Sequence, residues 1–306
     1  MLKKLRMKYA PYWQLYVFLL LPVAYIMIFA YWPMFGLQIA FKKFSIVTGV
    51  WDSPWVGLKN FTKFFNAYQF TNIMYNTLSL SIYAILAAFP FPILFALMLN
   101  TIEHEKLKKT VQTITYMPHF ISTVVIVAML MQLFHPMNGL YGKLMQALTG
   151  QMPADLFAQP SAFPHLYVWS GVWQGFGYNS IIYLAALTNV SPDLHEAAEV
   201  DGASRLQRLI HVDFPALLPT ITIMLILRMG AIMSIGFEKT YLMQNSLNLS
   251  RSEIISTFVY KKGLASGAAN DYSYSAAVGM FNSVVNLVLI VGVNWISRKI
   301  SENSLW

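Results

Sequence analysis

Apolar and polar positions alternate along this chain in long blocks rather than with a short period. Six apolar stretches, near 12–34, 76–100, 111–134, 165–187, 216–237 and 275–297, are each long enough to cross roughly 30 Å of hydrocarbon as a helix. Backbone polar groups in such runs have no water to bond, so they must satisfy one another within helices. The pattern predicts an all-α polytopic membrane protein with six transmembrane helices. Pro90, Pro92 and Pro118 are expected to kink the second and third spans or break their ends. Composition agrees, with 57% of the 306 residues hydrophobic and only 11% charged.

Charge sets an expected orientation. The first apolar stretch follows Lys3, Lys4, Arg6 and Lys8, is too long for a signal-peptide core, and is followed by no small-x-small cleavage site. It reads as a retained span with the N-terminus inside. Six spans then leave the C-terminus inside too, with eleven Lys and Arg on inner segments and nine on outer ones. The inner segments are about half as long in sum, so positive density favours this orientation. The net charge of +8 follows from it better than from nucleic-acid binding, because the basic residues are scattered over loops and ends. With no cysteine, disulfides and thiolate chemistry are excluded. We divide the chain into 1–70 (inner end, first span and outer loop), 71–297 (core) and 298–306 (inner tail). The outer loop 35–75 carries Phe41, Phe44, Trp51, Trp55, Phe61, Phe64, Phe65 and Phe70, suited to the membrane interface or to a docking surface. Segments 135–164 and 238–274, with their glycines and prolines, read as irregular.

The most informative segment is polar and lies at 191–215, between the fourth and fifth apolar stretches. Ser191 can cap a helix that starts at Pro192 and carries Asp193 and Glu196 in its first turns. Leu194, Ala197, Ala198 and Asp201 share one face of it, and Gly202 can end it with a positive φ. Ser204 with Gln207 forms a capping-box pattern for a second short helix, whose end Pro215 is expected to mark. The unit reads as helix, glycine turn, helix on a membrane surface.

Several chemistries lack their residues. No Gly-x4-Gly-Lys-Ser/Thr loop exists to hold nucleotide phosphates, and no His-Glu-x-x-His or Gly-x-Ser-x-Gly pattern occurs. The six histidines stand singly, and Glu238 is the only acid placed near a span end where membrane catalysis would want a pair. No catalytic or metal-binding residue is assigned, and the chain is expected to bind no cofactor itself.

Within the spans, Arg228 is the only full charge, about midway along the fifth; such a residue is a site candidate by default, with pairing for packing as the alternative. Gln174 and Tyr178 lie four apart in the fourth stretch beside Trp173, Gly175 and Asn179, and Asn282 and Asn286 lie four apart in the sixth. Such groups often serve only as interhelical hydrogen-bond partners. A sugar pathway asks for the same amides, hydroxyls and aromatic faces.

Glu196-Ala197-Ala198, Asp201-Gly202-Ala203-Ser204, Gln207, Pro215 and Pro219 stand at the spacing of the cytoplasmic "EAA" coupling loop, and the segment resembles that loop of bacterial ATP-driven importers. The likeness widens to the complex-oligosaccharide branch of the first permease of maltose-type carbohydrate importers. It rests on Tyr31–Lys42, Ser53–Leu58, Gly236-Phe237-Glu238, Ile254–Thr257, Tyr272–Gly279 and the end Ser304-Leu305-Trp306. The resemblance implies a type I (MetI-like) permease fold in a bacterial cytoplasmic membrane. It implies a second permease as heterodimer partner, an ATPase dimer holding the ATP and Mg, and an external binding protein that delivers an oligosaccharide. Glu196, Ala197, Ala198, Asp201, Gly202 and Ala203 would seat in the ATPase. Closing of the ATPases on ATP would draw the coupling loops together and open the pathway outward. Trp173, Gln174, Gly175, Tyr178 and Asn179 would line that pathway, together with Arg228, Asn282 and Asn286. The maltose-type pattern has small polar residues where Arg228 stands, which suggests an acidic sugar. A secondary transporter, the alternative, has no use for the coupling segment.

Overall fold

The computed structural model describes residues 10–267 and 271–300. Lys3, Lys4, Arg6, Lys8 and the end Ser304-Leu305-Trp306 lie outside the described residues. Among these, every element is a helix, and extended pairing is confined to two isolated bridges, Lys42 with Trp55 and Ser45 with Gly49. The chain forms two compact units, residues 1–66 with 259–280, and residues 67–258 with 281–306.

In the first unit, α1 (Trp13–Ile26) continues through a π turn into a 3-10 segment that ends at Phe41. Lys42 then turns inward, donating from Nζ to the carbonyls of Val50 and Trp51 at 2.7 and 3.2 Å, and so closes the following loop. Helix α2 (Lys59–Phe65) packs Phe64 edge-on to Tyr274, and Lys63 meets Asp271 at 2.6 Å. Of the aromatics expected at a membrane interface, Phe64 is therefore core, whereas Trp51 and Trp55 are exposed.

In the second unit, α3 (Phe70–Ala88) and α4 (Pro90–Asn100) make one run of 31 residues, interrupted where Pro90 cannot donate a backbone hydrogen bond. The third apolar stretch is not a single straight span. Helix α5 (Glu105–Tyr116), prolonged by a 3-10 turn to Phe120, meets α6 (Thr123–Leu133) at 95°. Pro118 ends the first arm, Ile121 and Ser122 are extended, and Ser122 Oγ restarts the helix by accepting from Val125 N at 3.4 Å. The expected irregular loop at 135–164 instead contains α7 (Leu140–Thr149), stopped by Gly150 at φ 71°. Helices α8 (Phe163–Asn179) and α9 (Ile181–Leu187) share the fourth stretch and are divided at Ser180. Next come α10 (Pro192–Val200), α11 (Phe214–Gly230) and α12 (Phe237–Met243). The segment 238–274 is thus largely helical as well, with further turns at Leu249–Ser252 and Ile255–Tyr260. The last helix, α13, spans Tyr272–Ile300.

Four runs are long and apolar enough to cross a membrane (Trp13–Phe41, Phe70–Asn100, Arg205–Gly230 and Tyr272–Lys299), and the bent pair brings the number to at most five among the described residues. The expected six is not reached on that measure, because the fourth stretch is divided and carries the polar Gln174, Tyr178 and Asn179.

The core of this unit gathers around α8, where Leu80, Val127, Phe163, Val168, Val172, Met243 and Ile254 form one buried cluster. A second cluster joins Ile93, Ala96 and Leu97 of α4 to Tyr183, Leu187 and Leu217. A Cβ at Gly177 would fall 2.3 Å from the Thr115 carbonyl oxygen, so only glycine lets α8 and α5 approach this closely. Asn248, fully buried, ties the loop after α12 together: its Nδ2 donates to Phe157 O and Met243 O at 2.9 and 3.0 Å, and its Oδ1 accepts from Ser252 Oγ at 2.8 Å.

Candidate functional site

The polar segment 191–215 folds as its caps dictate. Ser191 Oγ accepts from Asp193 N at 3.3 Å to start α10 behind Pro192. The helix closes in a Schellman turn: Gly202 N donates to Glu199 O at 3.0 Å and Ala203 N to Ala198 O at 2.8 Å, with Gly202 at φ 79°. The capping box then forms in both directions, Ser204 N donating to Gln207 Oε1 at 2.7 Å and Gln207 N to Ser204 Oγ at 3.4 Å.

Pro215 does not end the second helix, contrary to expectation. The helix runs unbroken from Arg205 to Gly230, passing through a π-helical turn at Leu209–Asp213. That widened turn shifts the backbone bonding just before the proline, so its missing N–H costs no continuity. The second arm of the polar unit is therefore the first part of a 26-residue rod, about 39 Å long at 1.5 Å per residue.

Glu196, Ala197, Asp201 and Gly202 are exposed, Ala198 and Ala203 half-buried, and Leu194 and Val200 present apolar surface, Val200 at 88% exposure. Behind this face lies a cleft of about 570 Å³ lined by Asn100, Glu103, His195, Glu199, Arg208 and Asp213 among others. Its centre is Asp213, 3% exposed, which accepts at Oδ1 from Asn100 Nδ2 at 3.3 Å and faces His195 Nε2 at 3.2 Å. One carboxylate thus joins α4, α10 and the long rod. Arg205 pairs with Glu103 at 2.6 Å on the rim, where exposure of both leaves the pair little energetic weight, and the half-buried Arg208 pairs with Glu199. The sequence signal for Asp213 is one acid between the apolar Val212 and Phe214.

Asp213→Ala is expected to destabilise the chain by about 1–3 kcal/mol, the cost of leaving the half-buried donors Asn100 and His195 without their acceptor. Asp213→Asn, which keeps an acceptor, should lose less. Thermal denaturation of the purified protein in detergent checks both, and equal stability of all three would show that the carboxylate holds nothing together.

The expected pathway residues do not all meet. A cavity of about 360 Å³ opens between α3, α4, α8 and α11 and is lined by Gln174, Asn179 and Arg228. Gln174 has a second task, donating from Nε2 to Ile121 O at 3.2 Å and so satisfying a carbonyl freed by the broken third stretch. Gly175 lets Asn179 approach, its Cβ position being 3.0 Å from Asn179 Nδ2. Trp173 instead lines a separate apolar pocket with Met129, Leu133 and Trp169. Tyr178 stacks flat on His119 at 3.7 Å between centroids. Asn286 caps the end of the fifth stretch, accepting from Met233 N at 3.0 Å and donating to Ser234 Oγ at 2.8 Å. Asn282 does not line the cavity, and its Oδ1 is buried with no hydrogen-bond partner among the described residues. Arg228 sits in the last turn of α11 rather than midway along a helix reaching 237, because residues 231–236 leave the helix.

The cavity also holds residues that the sequence did not single out: Tyr167, Tyr183, Ser81, Ser234 and Lys239. Lys239 projects from α12, donates from Nζ to Tyr167 O at 3.0 Å and lies 5.0 Å from the Tyr167 ring centroid. Burial pushes its ammonium down to about 8. Glu238, the acid noted beside the fifth stretch, is exposed and does not line the cavity.

Comparison with known proteins gives a consistent result. Residues 88–302 match the family described as "Binding-protein-dependent transport system inner membrane component". The chain is 41% identical over 292 residues to "Protein LplB" of Bacillus subtilis (strain 168), covering 95% of this chain and 91% of that protein. It is 38% identical over 304 residues to the "Polygalacturonan/rhamnogalacturonan transport system permease protein YteP" of the same organism, covering 99% and 94%. Among solved structures it resembles a chain of a bacterial ABC transporter involved in the import of the acidic polysaccharide alginate, with a TM-score of 0.88, 36% identity, and coverage of 97% and 99%.

Proposed function

This chain belongs to the family of binding-protein-dependent transport system inner membrane components, and from that premise we propose that it forms, with a second permease, the pathway for an oligosaccharide delivered by an extracellular binding protein. It is the permease of an ABC importer and a transport component rather than a catalyst. ATP hydrolysis belongs to a separate chain, and α10 with the Gly202 turn is the surface on which that ATPase pushes. Glu196, Asp201 and the apolar Leu194 and Val200 stand free for the contact. Both chain ends face the cytoplasm.

One observation carries the reading. The arm that follows Gly202 and the helix that carries Arg228 are the same continuous rod, Arg205–Gly230. A displacement of the exposed unit is delivered along a stiff helix to the cavity wall some 23 residues further on, a distance of about 35 Å. Asp213 fixes that rod to α10 and α4, so the three move together. Relatives importing polygalacturonan, rhamnogalacturonan and alginate support an acidic sugar as cargo. The cavity chemistry fits: amides of Gln174 and Asn179 and hydroxyls of Ser81 and Ser234 can exchange for water on sugar hydroxyls, and Arg228 can meet a carboxylate.

The test is uptake by proteoliposomes containing this chain, its second permease and the ATPase. Accumulation of a uronate oligosaccharide should require both ATP inside and the binding protein outside. Accumulation driven by an ion gradient without ATP would replace this reading with secondary transport.

A further inference from the structure

The cavity at the end of the long rod is electrostatically one-sided. Two cations line it, Arg228 from α11 and Lys239 from α12, and no aspartate or glutamate does. Neither cation takes part in an ion pair among the described residues. Lys239 spends one donor on the Tyr167 carbonyl and has two left; Arg228 keeps its whole guanidinium fork. Lys239 is partly desolvated, and such a cation without a counter-charge is costly unless a ligand supplies one, whereas Arg228 is exposed at the cavity wall. The rest of the lining combines polar groups, among them Gln174, Asn179, Ser81 and Ser234, with two tyrosines and a largely apolar wall, which suits the hydroxyls and apolar faces of a pyranose rather than a bare inorganic anion.

We propose that Arg228 and Lys239 together form a carboxylate-binding subsite for a uronic acid unit, with Lys239 as the residue that discriminates acidic from neutral sugar. This deepens the oligosaccharide reading above and rests on it. The two helices approach from different directions in sequence, so the subsite exists only when the chain after Gly230 turns back and α12 packs beside α8. Asn286 holds that turn through Met233 N and Ser234 Oγ.

The chemistry also gives the subsite a pH limit. With its ammonium lowered to about 8 by burial, Lys239 is charged at pH 7 and loses its charge as pH rises through 8. The titratable or charged groups beside it in the cavity are Tyr167 and Tyr183 and the permanently charged Arg228. On its own helix it is flanked by Glu238 and Tyr241, while α6 carries no titratable side chain and His165 of α8 is turned to Tyr83, at 2.9 Å from its hydroxyl.

The test is calorimetric titration of the assembled permease–ATPase complex in nanodiscs, without nucleotide, with trigalacturonate and with its uncharged counterpart trigalactose. Lys239→Gln is expected to weaken trigalacturonate about 10- to 100-fold, the scale of one lost hydrogen bond to a charged group, and to leave trigalactose unchanged. Lys239→Arg should restore trigalacturonate binding to within a few-fold. Between pH 7 and 9 the wild-type dissociation constant for trigalacturonate should rise about tenfold, because roughly nine-tenths of Lys239 has lost its proton at one unit above its pKa. The arginine variant should stay flat over that range. Equal weakening of both sugars by Lys239→Gln would overturn the proposal, showing that Lys239 only supports the fold through Tyr167; so would unaltered trigalacturonate binding. Failure of the wild type to bind either sugar would overturn the oligosaccharide reading itself, and the subsite with it.

Discussion

Replacing Gly202 by valine is expected to abolish ATP-driven uptake while leaving the chain in the membrane. Gly202 sits at φ 79°, and nothing lies within 4 Å of where its Cβ would be, so the penalty is purely conformational. A left-handed residue with a Cβ costs about 1–2 kcal/mol, more when β-branched, and the turn has little else to oppose the loss. Once Gly202 leaves this region, the bonds from Gly202 N to Glu199 O and from Ala203 N to Ala198 O cannot both persist. Helix α10 would then point away from the rod it should drive. Gly202→Asn is the informative control, because asparagine tolerates the left-handed region and should keep most of the uptake. The check is sugar-dependent ATP hydrolysis and uptake in the same proteoliposomes. Full uptake by the valine variant would mean that the turn does not set the aim of α10.

The second large effect is expected at Arg228. Arg228→Ala should abolish uptake of uronate-containing oligosaccharides at ordinary concentrations. Losing a hydrogen bond to a charged group costs about 1.5–3 kcal/mol, and a bidentate pair has two to lose. Arg228→Lys keeps the charge but not the fork, so its KM should fall between wild type and alanine. Initial rates of labelled oligogalacturonate uptake across these variants decide it; a KM for the alanine variant equal to wild type would remove Arg228 from the pathway.

Local chemistry was the most legible part of this sequence. The caps at Ser191 and Ser204, the box with Gln207 and the turn at Gly202 depend only on residues within a few positions, and each forms as read. So does the break near Pro118, since a missing N–H is a local fact, although nothing local specifies the 95° angle, at which Gln174 of α8 takes up the freed Ile121 carbonyl. Pro215 misled because a π-helical turn just before it absorbs the defect, and nothing local marks that turn in advance. Polar pairs at four-residue spacing gave the face they share on their own helix but not the neighbour covering it. Gln174 and Asn179 reach the cavity, while Tyr178 finds His119 and Trp173 an apolar pocket. Lys239 lies in a segment whose glycines and polar residues predict irregular structure, and only the return of the chain after Gly230 carries it into the cavity that Arg228 also lines. Asp213 gains its partners from residues 18 and 113 positions away, separations at which periodicity is silent.

The central expectation is coupling of this chain to a separate ATPase through the unit around Gly202. The most direct measurement is to tag the chain, extract it gently from its native membrane and identify what accompanies it. A second permease of similar size and an ATPase carrying a phosphate-binding loop are expected. Recovery as a lone chain or homo-oligomer, with that ATPase present in the membrane but unbound, would contradict it.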